Sequence, residues 1–223
     1  MKKFKLLPLS ASVGLMALGL SAHVFADDFY GGMPRFYVGF GAGVGSSLPS
    51  STMNNVLQAL VQVNGGTAQG STNSTVGFGR LFFGYKINPE VDLEAGVFGT
   101  GNVNTNFSGT GSGGYSGTDT QSFGGVDLSM LLRLPYQTHL NGLFLRLGVN
   151  STTVNETQVL GNGAGGSGLS IQNTGTGYQW GVGYDLWFSS AANARIEYIS
   201  YPNLLGMAGN ALNVVSLGLM YHF

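Results

Sequence analysis

Large apolar residues take every second position at the end of the chain. Val215, Leu217, Leu219, Tyr221 and Phe223 alternate with Ser216, Gly218, Met220 and His222. The same two-residue period appears in RFYVGFGAGVG (35–45), where Phe36, Val38, Phe40, Ala42 and Val44 share one face and Tyr37, Gly39, Gly41 and Gly43 the other. It recurs at 75–86 and 90–99, joined by Asn88-Pro89, and at 122–134, 142–151, 177–188, 193–200 and 212–223. A period of two predicts strands with one apolar face. Eight such segments, several close to the roughly 9–11 residues that cross a bilayer at a tilt, predict a fold class: all-β, an eight-stranded antiparallel transmembrane β-barrel.

The connectors support closure. Residues 46–74, 100–121, 152–176 and 201–211 are long and rich in Gly, Ser, Thr and Asn, whereas 87–89, 135–141 and 189–192 are short. Long loops on one side and short turns on the other fit a bacterial outer-membrane barrel with both termini in the periplasm. An even strand number lets the sheet close and leaves no exposed edge.

Composition narrows the class further. Charged residues are only 9% of the chain and glycines number 38, against roughly 25% charged in an ordinary soluble domain. The start reads as a cleaved signal peptide over 1–26. Lys2, Lys3 and Lys5 precede an apolar run from Leu6 to Leu20, and Val24-Phe25-Ala26 offers a cleavage site before Asp27. The barrel then occupies 27–223. Losing those three lysines takes the formal net charge from −1 to −4, which excludes a basic nucleic-acid binder. The chain has no cysteine, so it has neither disulfides nor thiolate chemistry. After Ala26 no apolar run is long enough for a transmembrane helix.

The segments SLGLMYHF (216–223), GYKINPEVDLEAG (84–96), GVDLSMLLRLP (125–135) and ARIEYI (194–199) resemble OmpA-type outer-membrane barrels. The resemblance spans nearly all of the mature chain. It implies that Leu219, Tyr221 and Phe223 form the signal read by the outer-membrane barrel assembly machinery. The chain ends at Phe223, so the peptidoglycan-binding domain of longer members is not expected, nor is their anchoring role.

Parity places the charges. Arg80, Lys86, Asp92 and Glu94 lie out of phase with Leu81, Phe83, Tyr85, Leu93 and Ala95. Asp127, Arg133, Arg146, Asp185, Arg195 and Glu197 oppose the apolar face of their own segments in the same way. All ten therefore point inward, five cations with five anions. A Lys or Arg facing lipid at midplane costs about 2–4 kcal/mol, and eight strands leave an interior that side chains just fill. The expected result is a salt-bridged core, with a charged path for ions as the alternative.

Other signals carry less. STMNNVLQALVQVNGG (51–66) has helical spacing, with Met53, Val56, Leu57, Leu60 and Val61 on one side. It reads as a short helix resting over the barrel mouth, or as an element that contacts a partner or lipid. The runs SGTGSGGYSGTDT and LGNGAGGSGLS are flexible by composition, with Asp119 and Glu156 the only charges of the loops that hold them. The stretch GFGAGVG is no phosphate loop, because no helix follows; its glycines leave room inside the barrel. Two histidines remain after cleavage, His139 in a turn and His222 in the last strand. They are too few and too far apart for a metal site, and no motif asserts a catalytic group or a cofactor. The sequence thus describes a monomeric outer-membrane protein, not an enzyme, with a structural or surface-interaction role. Its partners are outer-membrane lipid, the assembly machinery and an extracellular ligand of the long loops. A narrow porin-like channel is the alternative, and a lipid-modifying enzyme a more distant one.

Overall fold

A computed structural model describes residues 35–48, 67–110, 115–134, 142–162, 165–204 and 211–223. The signal segment, the 51–66 segment and His139 lie outside them.

Ten strands follow in order: β1 (Phe36–Leu48), β2 (Thr67–Asn73), β3 (Thr75–Asn88), β4 (Val91–Thr100), β5 (Val103–Thr110), β6 (Tyr115–Arg133), β7 (Leu143–Asn162), β8 (Gly165–Trp187), β9 (Ala192–Tyr201) and β10 (Ala211–His222). Eight of them close a ring in the order β6-β4-β3-β1-β10-β9-β8-β7, with β6 pairing β7 to complete it. Every pairing is antiparallel. The ends meet where β1 joins β10. Phe223 N donates to Phe36 O at 2.9 Å, and Phe36 N to Phe223 O at 3.3 Å. The tight β3–β4 turn rests on Asn88, whose Oδ1 accepts from Glu90 N at 2.9 Å, the local side-chain turn that Asn favours.

The alternation works inside out. Phe40, Leu81, Leu128, Leu147, Val182, Ile196, Leu217 and Leu219 are exposed on the outer wall, while Arg80, Glu94, Asp127, Arg146, Arg195 and Glu197 are buried. That inversion is what a hydrocarbon solvent requires. Phe36 stacks near Phe83, Tyr85 and Phe223, with ring centroids 5.7, 5.0 and 6.3 Å apart. These rings form an aromatic band at the end of the barrel that holds Phe36 and Phe223.

At the opposite end the expected flexible connectors prove to be sheet. β6, β7 and β8 run far beyond the ring, and β5 and then β2 add to the free edge of β6. Most of 100–121 and 152–176 is therefore strand. Composition misled here because a strand already paired in the ring can continue pairing above it, and Thr and Asn then interact directly across the ladder. Thr118 bonds Asn106 at 3.1 Å, Thr120 bonds Asn104 at 3.0 Å, Thr153 bonds Thr174 at 2.9 Å and Gln172 bonds Asn155 at 3.0 Å. Each of these residues is the direct cross-strand partner of the other.

Candidate functional site

The lumen is the candidate site, and its centre is Glu94 on β4. Three arginines from three other strands converge on this one carboxylate. Arg80 Nη1 (β3) and Arg146 Nη2 (β7) each stand 2.6 Å from Oε1, and Arg195 Nη1 (β9) stands 2.8 Å from Oε2. The Tyr37 hydroxyl (β1) donates to Oε2 at 3.2 Å.

Chains of ion pairs leave this centre. Arg80 forks onto Asp127, with Nε to Oδ2 at 2.9 Å and Nη2 to Oδ1 at 2.5 Å. Arg146 forks onto Glu197 at 2.5 and 3.2 Å. Arg195 forks onto Asp185 at 2.8 and 3.1 Å. Arg133 then links Asp185 at 2.7 Å to Asp92 at 2.8 Å. Four arginines and five carboxylates thus form one connected cluster. Planar guanidinium forks suit such a lattice better than lysine would. Lys86 stands apart from it. Its Nζ lies 4.8 Å from the centre of the Trp187 ring, and no carboxylate is within ion-pair distance among the described residues. It sits near the end of β3, opposite Asp92, whose carboxylate Arg133 occupies.

Two phenylalanines serve as plates for the cations. Arg80 and Arg195 lie 4.9 and 5.4 Å from the Phe82 ring, and Arg195 and Arg133 lie 4.5 and 5.5 Å from Phe144. Such contacts add stability where the cation is desolvated. Glycines make space for the aromatic rings. A Cβ on Gly84 would stand 2.0 Å from Tyr37 Cζ, and one on Gly183 would stand 2.3 Å from Phe144 Cζ.

The lumen is not polar throughout. Neutral pairs flank the ion cluster: Gln179 bonds Ser129 at 2.6 Å beside it, and Thr152 bonds Asn150 at 2.9 Å on the side of the sheet extension. Beyond the latter pair Val76, Phe78, Phe98, Val103, Phe123, Val154, Ile199, Tyr201, Leu204, Leu212 and Val214 pack into an apolar roof. Tyr201 stands 5.0 Å from Phe98 and 6.5 Å from Phe78. Parity puts Phe78, Phe98 and Phe123 of this roof on the inward phase, with Phe82 and Phe144, but an apolar residue carries no mark of the side it faces.

His222 closes the other end. Its Nε2 is 2.7 Å from Asn193 Oδ1, and its ring lies 4.6 Å from Trp187 and 5.1 Å from Tyr37. Of the terminal residues, Leu219 and Tyr221 are exposed on the outer wall, and Phe223 is 38% exposed beside them.

The family described as the OmpA-like transmembrane domain matches residues 33–223. Among curated proteins, none matches by sequence. Solved structures similar to this chain include Ail, the attachment invasion locus protein of Yersinia pestis. It is 10% identical, with 85% of this chain and 99% of that one covered and a TM-score of 0.46. Neisserial surface protein A is 14% identical, with 84% and 97% covered and a TM-score of 0.41. Outer membrane protein OprG from Pseudomonas aeruginosa is 13% identical, with 85% and 97% covered and a TM-score of 0.41.

Proposed function

The chain belongs to the OmpA-like transmembrane domain family and is a β-barrel of the bacterial outer membrane, and from that premise we propose that it is a closed, structural barrel that presents a rigid sheet to the outside. It neither conducts nor catalyses. The observation that carries this reading is the convergence of Arg80, Arg146 and Arg195 on Glu94 inside an eight-stranded ring. A conducting pore needs lumenal charges that water and ions can reach. Here Glu94 and Arg146 are 0% exposed and Arg80 is 4% exposed. The apolar roof places a second barrier in series with the first.

The end that carries Phe36 and Phe223 faces the periplasm in this reading, and β2, β5 and the far ends of β6, β7 and β8 stand outside. The mature chain begins at Asp27 and is a monomer in outer-membrane lipid. Leu219, Tyr221 and Phe223 direct it to the barrel assembly machinery. The outer sheet offers Ser, Thr, Asn and Gln, and the long connectors contain no Lys or Arg. That surface suits an uncharged, hydrogen-bonding ligand rather than a polyanion. Comparing ligand capture by the intact protein with capture by a variant whose four long connectors are shortened tests the surface role. Equal capture by both would remove it.

A further inference from the structure

The sheet extension contains two charges, and the fold sets them together. Across residues 46–75, 100–121, 151–178 and 201–211, Asp119 and Glu156 are the only Asp, Glu, Lys, Arg or His. β6 and β7 pair so that Asp119 stands opposite Gln158 and Gln121 opposite Glu156. Each acid is held by a carboxamide on its own strand. Gln121 Nε2 donates to Asp119 Oδ2 at 3.0 Å, and Gln158 Nε2 donates to Glu156 Oε1 at 2.5 Å. Asp119 is only 4% exposed, and its Oδ1 is buried without a donor. The register puts Glu156 diagonal to Asp119 on the same face of the β6–β7 ladder, within reach of a long side chain.

Two carboxylates this close cannot both ionise without a large penalty. A salt bridge would be the usual remedy, but none of those connectors contains a cation. The arginines of the lumen are committed elsewhere. Arg80 is held by Glu94 and Asp127, and Asp127 lies eight residues farther along β6 than Asp119, roughly 27 Å at the usual strand rise. Nor do the flanking strands supply a cation. Asp119 faces Thr105 on β5, Gln121 faces Val103, and Glu156 and Gln158 face Ile171 and Leu169 on β8. The compensating charge must come from solution.

We propose that Asp119 and Glu156 share a single proton and so form a pH-sensitive latch between the β6 and β7 extensions. With the proton in place, an O–H···O bond joins the two strands through the Asp119 Oδ1 that Gln121 leaves open. Without it, two like charges repel across the same ladder. Burial and the Glu156 carboxylate raise the Asp119 carboxyl from 3.8 to about 6. The sign follows from linkage. The folded pair binds its proton more tightly than the unfolded chain does, so the latch is fully formed below about 4. It weakens as pH rises through about 6. The outer sheet, which also carries β5 and β2, is then more rigid in mildly acidic surroundings than in neutral ones.

Hydrogen exchange on the full chain, refolded in detergent micelles with a chelator present, tests the latch. Amides of residues 116–121 and 154–159 are compared about one pH unit below and above the Asp119 value, with exchange times corrected for the intrinsic rate. Wild type should show several-fold stronger protection at the lower pH. Glu156→Gln and Asp119→Asn each put a permanent amide donor in the proton's place, so both should fold and both should lose the pH difference. Equal protection in wild type at both pH values would overturn the proposal. So would a pH difference that survives in Glu156→Gln. So would protection at the higher pH that appears with calcium chloride and vanishes with the chelator, because the pair would then be a cation site.

Discussion

Arg195 on β9 reaches Glu94 on β4, 101 residues away in sequence, at 2.8 Å, and simultaneously forks onto Asp185 on the neighbouring strand β8. One guanidinium thus ties an adjacent strand pair to a strand across the lumen. Loss of Arg195 would leave Glu94 to Arg80 and Arg146, Asp185 to Arg133 alone, and three buried arginines to balance five carboxylates. Removing one member of a buried pair typically costs about 3–5 kcal/mol. Leu217 is 67% exposed on the outer wall, where lipid replaces much of what its side chain contributes. Arg195→Ala should therefore lower the urea midpoint of the refolded barrel clearly more than Leu217→Ala. Equal effects would contradict a stabilising role for the cluster.

A second contrast uses glycine. At Gly84 a Cβ meets the Tyr37 ring at 2.0 Å, and Tyr37 is itself 0% exposed; at Gly79, on the same strand, nothing lies within 4 Å. Overpacking of this kind costs about 1–3 kcal/mol. Gly84→Ala should reduce the fraction of heat-modifiable folded barrel on gels, and Gly79→Ala should leave it unchanged. The reverse order would mean that the inward face has more room than the Tyr37 contact allows.

Much of this arrangement was legible from parity alone. Arg80, Glu94, Arg195 and the other charges share the phase opposite to the apolar face, and membrane energetics leave them one direction to point. Which arginine meets which acid was not legible, because that depends on the ring order and stagger of strands far apart in sequence. The apolar roof is not legible in the sequence for a different reason. Phe78, Phe98 and Phe123 carry the inward phase, but a phenylalanine near the end of a strand looks the same whether it faces lipid or lumen. The sheet extension was hidden because Ser, Thr, Asn and Gly are loop formers when free, yet pair readily once β6, β7 and β8 hold them in register.

Export gives a further test. The basic start and Val24-Phe25-Ala26 lead us to expect a mature amino terminus of Asp27-Asp28-Phe29. Amino-terminal sequencing of outer-membrane material should return it. Retention of Lys2 to Lys5 would show that the segment stays attached.

The proposed assembly signal ends on Phe223. It stacks 6.3 Å from Phe36 where β1 meets β10, and its backbone completes that pairing. Deleting it should leave transport to the periplasm intact and lower the amount of folded barrel in the outer membrane. Undiminished folded protein in a heat-modifiability assay would mean that Leu219 and Tyr221 suffice as the signal.

Conductance distinguishes a closed lumen from a channel. Wild-type protein refolded into a planar bilayer should carry almost no steady current, because the Glu94 cluster and the Phe78–Phe98–Tyr201 roof stand in series. Arg195→Ala opens only the first barrier. It should produce at most brief openings, whereas Arg195→Ala combined with Phe98→Ala should conduct measurably. A steady, large conductance from the unmodified protein would falsify the closed barrel and establish a channel in its place.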